Sequence, residues 1–325
     1  MSATQQSAAA PRLDPGKFQD PLVTADGSRR AFVELGALTT LWFNTGTLCN
    51  IECRSCYIES SPRNDRLAYL TLDEVCEFLD ELGQLDLTTR EIGFTGGEPF
   101  MNPEFIGMLE ETLGRGLRAL VLTNAMQPLQ RPRIRTALLG LRERHGDRLT
   151  LRVSLDHYTR ELHGLERGPG SWPVTLRGLG WLSEHGFHLH VAGRTCWGES
   201  EAEARAGYAR LFAAEGIPVD ARNPTELVLF PEMDESADVP EITTGCWAAL
   251  GKRPEDVMCA SSRMVVRRKG AERPVVLPCT LLPYGREFEL GDTLGSASKV
   301  VYLNHPHCAR FCVLGGGSCS VGETR

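Results

Sequence analysis

The chain has 325 residues, 42% of them apolar, which is enough for a sizeable core and long for one compact domain. A net charge of -7 and a pI near 5.7 argue against a broad nucleic-acid footprint, which needs clustered Lys and Arg. No signal-peptide core and no run of membrane-span length occurs, so a cytoplasmic protein without a membrane partner is expected, its eleven cysteines serving as reduced thiols and metal ligands.

Residues 1–35 show no periodic element and read as a flexible N-terminal arm. The apolar run Leu41, Trp42, Phe43 reads as a strand and leads into NTGTLCNIECRSCY, Asn44 to Tyr57. This loop spaces Cys49, Cys53 and Cys56 as C-x3-C-x2-C. Three thiolates can hold three irons of a four-iron, four-sulfur cube and leave the fourth iron open to a second molecule, whereas relay clusters usually take four cysteines. Three of four zinc ligands, or ordinary core thiols, are the competing readings. Zinc sites tend to repeat C-x2-C pairs and to close at four ligands.

Thr71 and Glu74 form a capping-box pattern ahead of the stripe Val75, Phe78, Leu79, Leu82, which predicts a helix. A short strand from Glu91 to Phe94 delivers Thr95, Gly96, Gly97, Glu98 and Pro99, a turn whose glycines let backbone approach a ligand closely. Further strands are expected at 117–122, 149–153, 187–192 and 226–230, with helices at 102–115, 133–145, 172–185 and 199–215 between them. Six strand-helix alternations call for a parallel sheet. They are too few for a closed eight-stranded barrel, so residues 36–232 should form an open, partial (β/α)6 TIM-like barrel with a lateral gap.

Glu98, Asn124, Ser154, Asp156 and Arg194 all fall at the C-terminal ends of predicted strands, the rim on which such folds bind ligands. Arg167 follows in the next loop, where a guanidinium suits a carboxylate or stabilises the loop itself. His163 is read as structural. Cys196 comes shortly after the fifth strand and is the candidate hydrogen donor at the barrel mouth, with plain packing as the alternative.

From Pro231 the composition turns acidic and proline-bearing, as in a linker, and residues 233–325 are expected to form a cysteine-rich extension. Met264 to Arg267 and Pro274 to Leu277 read as a hairpin flanked by Cys259 and Cys279. Cys308, Cys312 and Cys319 follow as C-x3-C-x6-C, and Cys246 is the spare. Four of these thiols would suffice for a second cluster. A zinc knuckle that recruits His305 or His307 is the alternative.

The three-cysteine loop with Tyr57 after it, followed about 40 residues on by GGEP, resembles the signature of the radical S-adenosylmethionine (radical SAM) superfamily. The resemblance implies a catalytic 4Fe-4S cluster whose open iron is chelated by S-adenosylmethionine, with the GGEP turn on the methionyl amine. Ser154 and Asp156 would then face the cofactor's carboxylate or ribose. Reductive cleavage would give a 5'-deoxyadenosyl radical that takes hydrogen from a peptide, protein or medium-sized metabolite, for oxidation, crosslinking or epimerisation. A flavodoxin- or ferredoxin-like electron donor is implied.

The C-terminal region is similar to SPASM and twitch extensions, which implies a second, auxiliary 4Fe-4S cluster on Cys259, Cys279 and members of Cys308, Cys312 and Cys319. The usual SPASM run is C-x2-C-x5-C-x3-C, so this chain departs from it. A non-catalytic iron-sulfur redox or scaffold protein and an RNA-modifying enzyme of the same superfamily are the competing functions.

Overall fold

The computed structural model describes residues 11–316. After a short strand, β1 (Phe32–Val33), a main sheet begins at β2 (Thr40–Asn44) and continues through β3 (Glu91–Thr95), β4 (Arg118–Thr123), β5 (Leu149–Ser154), β6 (His188–Arg194) and β7 (Leu227–Phe230). These six strands are hydrogen-bonded in sequence order and all run parallel. Parallel neighbours need crossover connections, and the chain supplies helices for them. They are α1 (Leu72–Gln84), α2 (Phe105–Gly114), α3 (Gln127–Gln130), α4 (Pro132–His145), α5 (Arg160–Arg167), α6 (Ser171–Glu184) and α7 (Glu201–Glu215). The result is the expected partial TIM-like barrel.

Local chemistry explains the element ends. Thr71 caps α1 with a complete capping box to Glu74, Ser200 does the same for α7 with Glu203, and Gly216 ends α7 in the left-handed region. β2 is buried at every residue, as a strand covered on both faces must be. Phe43 stacks on Phe94 at 5.8 Å, and Phe94 meets Phe105 of α2 edge-on at 5.3 Å, so aromatic packing ties the sheet to its outer helices.

Two expectations are corrected. A short helix α8 (Cys246–Leu250) precedes β8 (Ser262–Val266) and β9 (Val275–Leu277), and this hairpin does not stand apart from the barrel. β8 adds in parallel to β2, with Thr40 opposite Ser262, and β9 follows antiparallel, so the sheet has eight strands. A strand with an apolar run such as Met264, Val265 and Val266, all buried, gains most by covering the free edge of β2. The N-terminal segment is likewise not a free arm from residue 11 onward. Arg30 is fully buried, its guanidinium 2.6 Å from Glu241 and bonded to the Asp20 and Val23 carbonyls, and β1 pairs with β10 (Val301–Tyr302). A buried arginine needs such partners, and they fix residues 20–33 against the C-terminal region.

Candidate functional site

The three-cysteine loop leaves β2 and is braced from several sides. Thr45 N–H donates to the Thr95 carbonyl (2.8 Å), Thr47 N–H to that of Leu67 (3.1 Å), and Cys49 N–H to that of Ser61 (3.1 Å). Helix α5 holds the middle of the loop. Arg54 N–H donates to the Glu166 carbonyl (2.8 Å), and Ser55 Oγ donates to the Glu166 carboxylate (3.1 Å). No strand-end signal marks α5, and no helix is expected there from the strand-helix alternation. Gly168, with φ +90, directly after Arg167 is the stop signal that points to it.

Cys49, Cys53 and Cys56 open on one cavity of about 170 Å³ at the C-terminal ends of the strands. Gly96 and Gly97 line it after β3, Asn124 after β4, Ser154 and Asp156 at the end of β5, and Arg194 at the end of β6. Four of the five residues anticipated at strand ends, Asn124, Ser154, Asp156 and Arg194, are therefore brought together, with Arg167 of α5 beside them. Arg167 Nε donates to Asp156 Oδ2 (2.5 Å) and Arg194 Nη1 donates to the Ser55 carbonyl (3.2 Å). Asn124 Nδ2 donates to Asn50 Oδ1 (2.8 Å) and lies 3.8 Å from Cys49 Sγ.

Three residues expected at the site lie off this cavity. Glu98 and Pro99 do not line the cavity. The Glu98 carboxylate turns inward, where it accepts from Thr123 Oγ1 (2.8 Å), Asn124 N–H (2.9 Å) and Phe100 N–H (3.3 Å). Burial pushes its pKa up to about 7, partly offset by those bonds. Cys196 is half-buried and also lies off the cavity lining, and burial raises its thiol to about 11. A loop residue two positions beyond Arg194 has left the strand's inward alternation.

Other lining residues escaped the sequence reading. Arg152 is two residues before Ser154 on the same face of β5, a placement that period-two alternation gives. Phe230 and Met233, from the end of β7 onward, join Leu281 and Phe311 in an apolar wall. Phe311 stacks on Phe230 at 5.5 Å and arrives from the π-helical turn Cys308–Leu314, a long-range contact that no local pattern announces.

Behind that wall lies a second, smaller cavity of about 20 Å³ lined by Cys259, Cys279, Cys308 and Cys312. Cys308 and Cys312, four apart on the π-helical turn, share a face, and Leu281 lines both cavities. Cys319 lies outside the described residues. Cys246 Sγ accepts from Thr243 N–H at 3.4 Å and is not part of this lining.

Both thiol sets fit an iron-sulfur cluster better than one zinc ion. Among the described residues no three cysteine sulfurs lie within 4.8 Å of one another. A tetrahedral zinc with bonds of ~2.3 Å would draw its sulfurs to ~3.8 Å. All-thiol donors also suit iron-sulfur clusters. His305 and His307 turn to Glu235, with His307 Nε2 at 3.0 Å and His305 Nε2 at 3.7 Å from its carboxylate. Burial pushes the Cys49 thiol up to about 12.

An open α/β barrel with three thiols, a diglycine turn and a polar strand-end rim around one cavity defines the class. Residues 43–203 match the model of the Radical SAM superfamily, which identifies this part of the chain as a radical SAM domain. Its cysteine-rich C-terminal region fits the SPASM/twitch-like type.

Among curated proteins the chain is similar to the antilisterial bacteriocin subtilosin biosynthesis protein AlbA of Bacillus subtilis (strain 168), at 30% identity over 171 residues, 52% of this chain and 35% of AlbA. It is similar also to the mycofactocin maturase MftC of Mycobacterium tuberculosis, at 27% identity over 139 residues, 43% of this chain and 33% of MftC. The chain thus spans about a third of the length of these relatives. Among solved structures, Streptococcus suis SuiB bound to precursor peptide SuiA has a TM-score of 0.57 at 12% identity, covering 82% of this chain and 66% of SuiB. Histidine-tagged anSMEcpe with bound AdoMet has a TM-score of 0.56 at 15% identity, covering 80% of this chain and 79% of that one. Both show the shared fold.

Proposed function

We propose that this chain is a radical SAM enzyme that modifies a peptide. The carrying observation is that Cys49, Cys53 and Cys56 share one cavity with Gly96, Gly97 and the rim of β4 to β6. The three thiols would hold a 4Fe-4S cluster, and Gly96, Gly97, Asn124, Ser154, Asp156, Arg167 and Arg194 would surround S-adenosylmethionine. When bound, that pair supplies a 5'-deoxyadenosyl radical, given an electron from a flavodoxin- or ferredoxin-like donor. The chain's own part is to seat the thiols, orient the cofactor through the rim and keep water from the apolar wall of Phe230, Met233, Leu281 and Phe311.

Cys259, Cys279, Cys308 and Cys312 would hold a second 4Fe-4S cluster next to this wall, and residues 233–325 would serve as its auxiliary region behind the 36–232 core. Among the described residues no helix is long and apolar enough to cross a membrane. The reaction is placed in the cytoplasm, where thiols stay reduced. The names of the relatives, a bacteriocin biosynthesis protein and a mycofactocin maturase, together with a neighbour solved with its precursor peptide, support a peptide substrate.

The test is mass spectrometry of a short peptide encoded beside the gene, incubated anaerobically with the protein, S-adenosylmethionine and dithionite. A new crosslink or altered mass alongside 5'-deoxyadenosine supports the proposal. 5'-Deoxyadenosine with an unaltered peptide would contradict the peptide assignment.

A further inference from the structure

We infer that Tyr284 is a positioning residue for the three-cysteine loop, so that the C-terminal cysteine segment helps set the geometry of the first site; this rests on the proposed radical SAM reading. Tyr284 is not one of the cavity's lining residues. Its hydroxyl donates to the Ile58 carbonyl (2.6 Å) and accepts from the Asn64 side-chain Nδ2 (3.0 Å), which uses its proton and a lone pair on one backbone and one side-chain group of the same loop. The Arg66 guanidinium sits over the Tyr284 ring, 3.5 Å from its centroid. Ile58 itself lines the cavity two residues beyond Cys56.

The backbone at this contact is strained. Glu59 has φ +48, a left-handed conformation that non-glycine residues adopt only when neighbours hold them there. Several contacts do so. Glu59 N–H donates to the Cys56 carbonyl (2.8 Å), Asn64 Nδ2 donates to the Glu59 carbonyl (2.8 Å), and Tyr284 fixes both Ile58 and Asn64. The loop's exit from Cys56 is thus held partly from outside the loop.

The holding group belongs to the second cysteine field. Cys279 lines the second cavity, Leu281 lines both cavities, and Tyr284 lies five residues beyond Cys279 in the same irregular stretch. Arg268 Nη1 donates to the Tyr284 carbonyl (3.2 Å), which secures the stretch to the turn of the β8–β9 hairpin. Displacement of Cys279 would pass along a short, packed segment to Ile58.

The test compares wild-type and Tyr284→Phe holoprotein, which keeps the ring over Arg66 and loses both hydroxyl bonds. Iron content should stay at the wild-type level, amides of 50–64 should exchange faster with deuterium, and dithionite-driven 5'-deoxyadenosine formation should fall by about threefold to tenfold. Adding Glu59→Gly, which relieves the strained turn, should recover part of the rate. Wild-type exchange and rate in Tyr284→Phe would overturn the inference, as would faster exchange with an unchanged rate. A wild-type protein that forms no 5'-deoxyadenosine would overturn the radical SAM reading and this inference together.

Discussion

Gly97 lies against the Leu48 carbonyl so closely that a Cβ there would sit 2.1 Å from the oxygen. Its N–H donates to the Gly46 carbonyl at 2.8 Å. The close approach that a diglycine turn permits is therefore made first to the backbone of the cysteine loop. A Gly97→Val change should displace Leu48, next to Cys49, and lower iron bound at the first site by more than half relative to wild type. Iron and acid-labile sulfide analysis after reconstitution would check this, and full iron with only weakened cofactor binding would contradict it.

Asp156 and Arg167 form a nearly buried ion pair at the cavity edge, 2.5 Å apart. Breaking such a pair from one side strands a charge, at a cost of about 3–5 kcal/mol. Asp156→Asn should therefore lower the melting temperature markedly and weaken S-adenosylmethionine binding. Arg167→Lys keeps the charge without the fork and should cost less. Thermal melts with calorimetric titration separate the two effects.

His163 of α5 is fully buried beside Trp172, and burial pushes its pKa down from 6.5 to about 4. The folded chain keeps this ring neutral while the unfolded chain protonates it below 6.5. The stability is present above pH 6.5 and is lost as pH falls through about 4, by about 3 kcal/mol at most. His163→Phe should flatten this acid slope in pH-dependent melts. His190, which burial takes to about 3, acts in the same sense, so the slope shrinks without vanishing.

Cys308 and Cys312 share one face of the π-helical turn on the second cavity. Replacing both by Ala should remove about half of the iron of a two-cluster protein and abolish peptide turnover. Cleavage of S-adenosylmethionine should persist at a reduced rate, since the first site keeps its thiols while the Tyr284 contact is loosened. Circular dichroism must show the variant folded, because metal ligation contributes folding energy. Full peptide turnover by a folded double variant would contradict a functional second cluster.

The barrel was legible because its signals are local: strands such as Leu149–Ser154 are short and alternate apolar Leu149, Leu151 and Val153 with polar residues, and the capping box at Thr71 is read within four residues. The rim was legible for the same reason, since strand ends place Asn124, Ser154 and Arg194 on one side. Side-chain direction was not. Glu98 looks like a ligand-facing carboxylate until its three inward bonds are seen, and Cys196 sits beyond the strand's alternation. Phe311 and Tyr284 reach the first site from far along the chain, and the β8 edge on β2 spans more than 200 residues, so neither could be inferred from spacing.

The most direct test is anaerobic incubation of reconstituted protein with S-adenosylmethionine and dithionite, with 5'-deoxyadenosine measured by mass spectrometry. Wild-type protein should form it, and the triple variant Cys49→Ala, Cys53→Ala, Cys56→Ala should form none above the protein-free control. Formation by the triple variant at the wild-type rate would contradict the assignment of this loop as the seat of the chemistry.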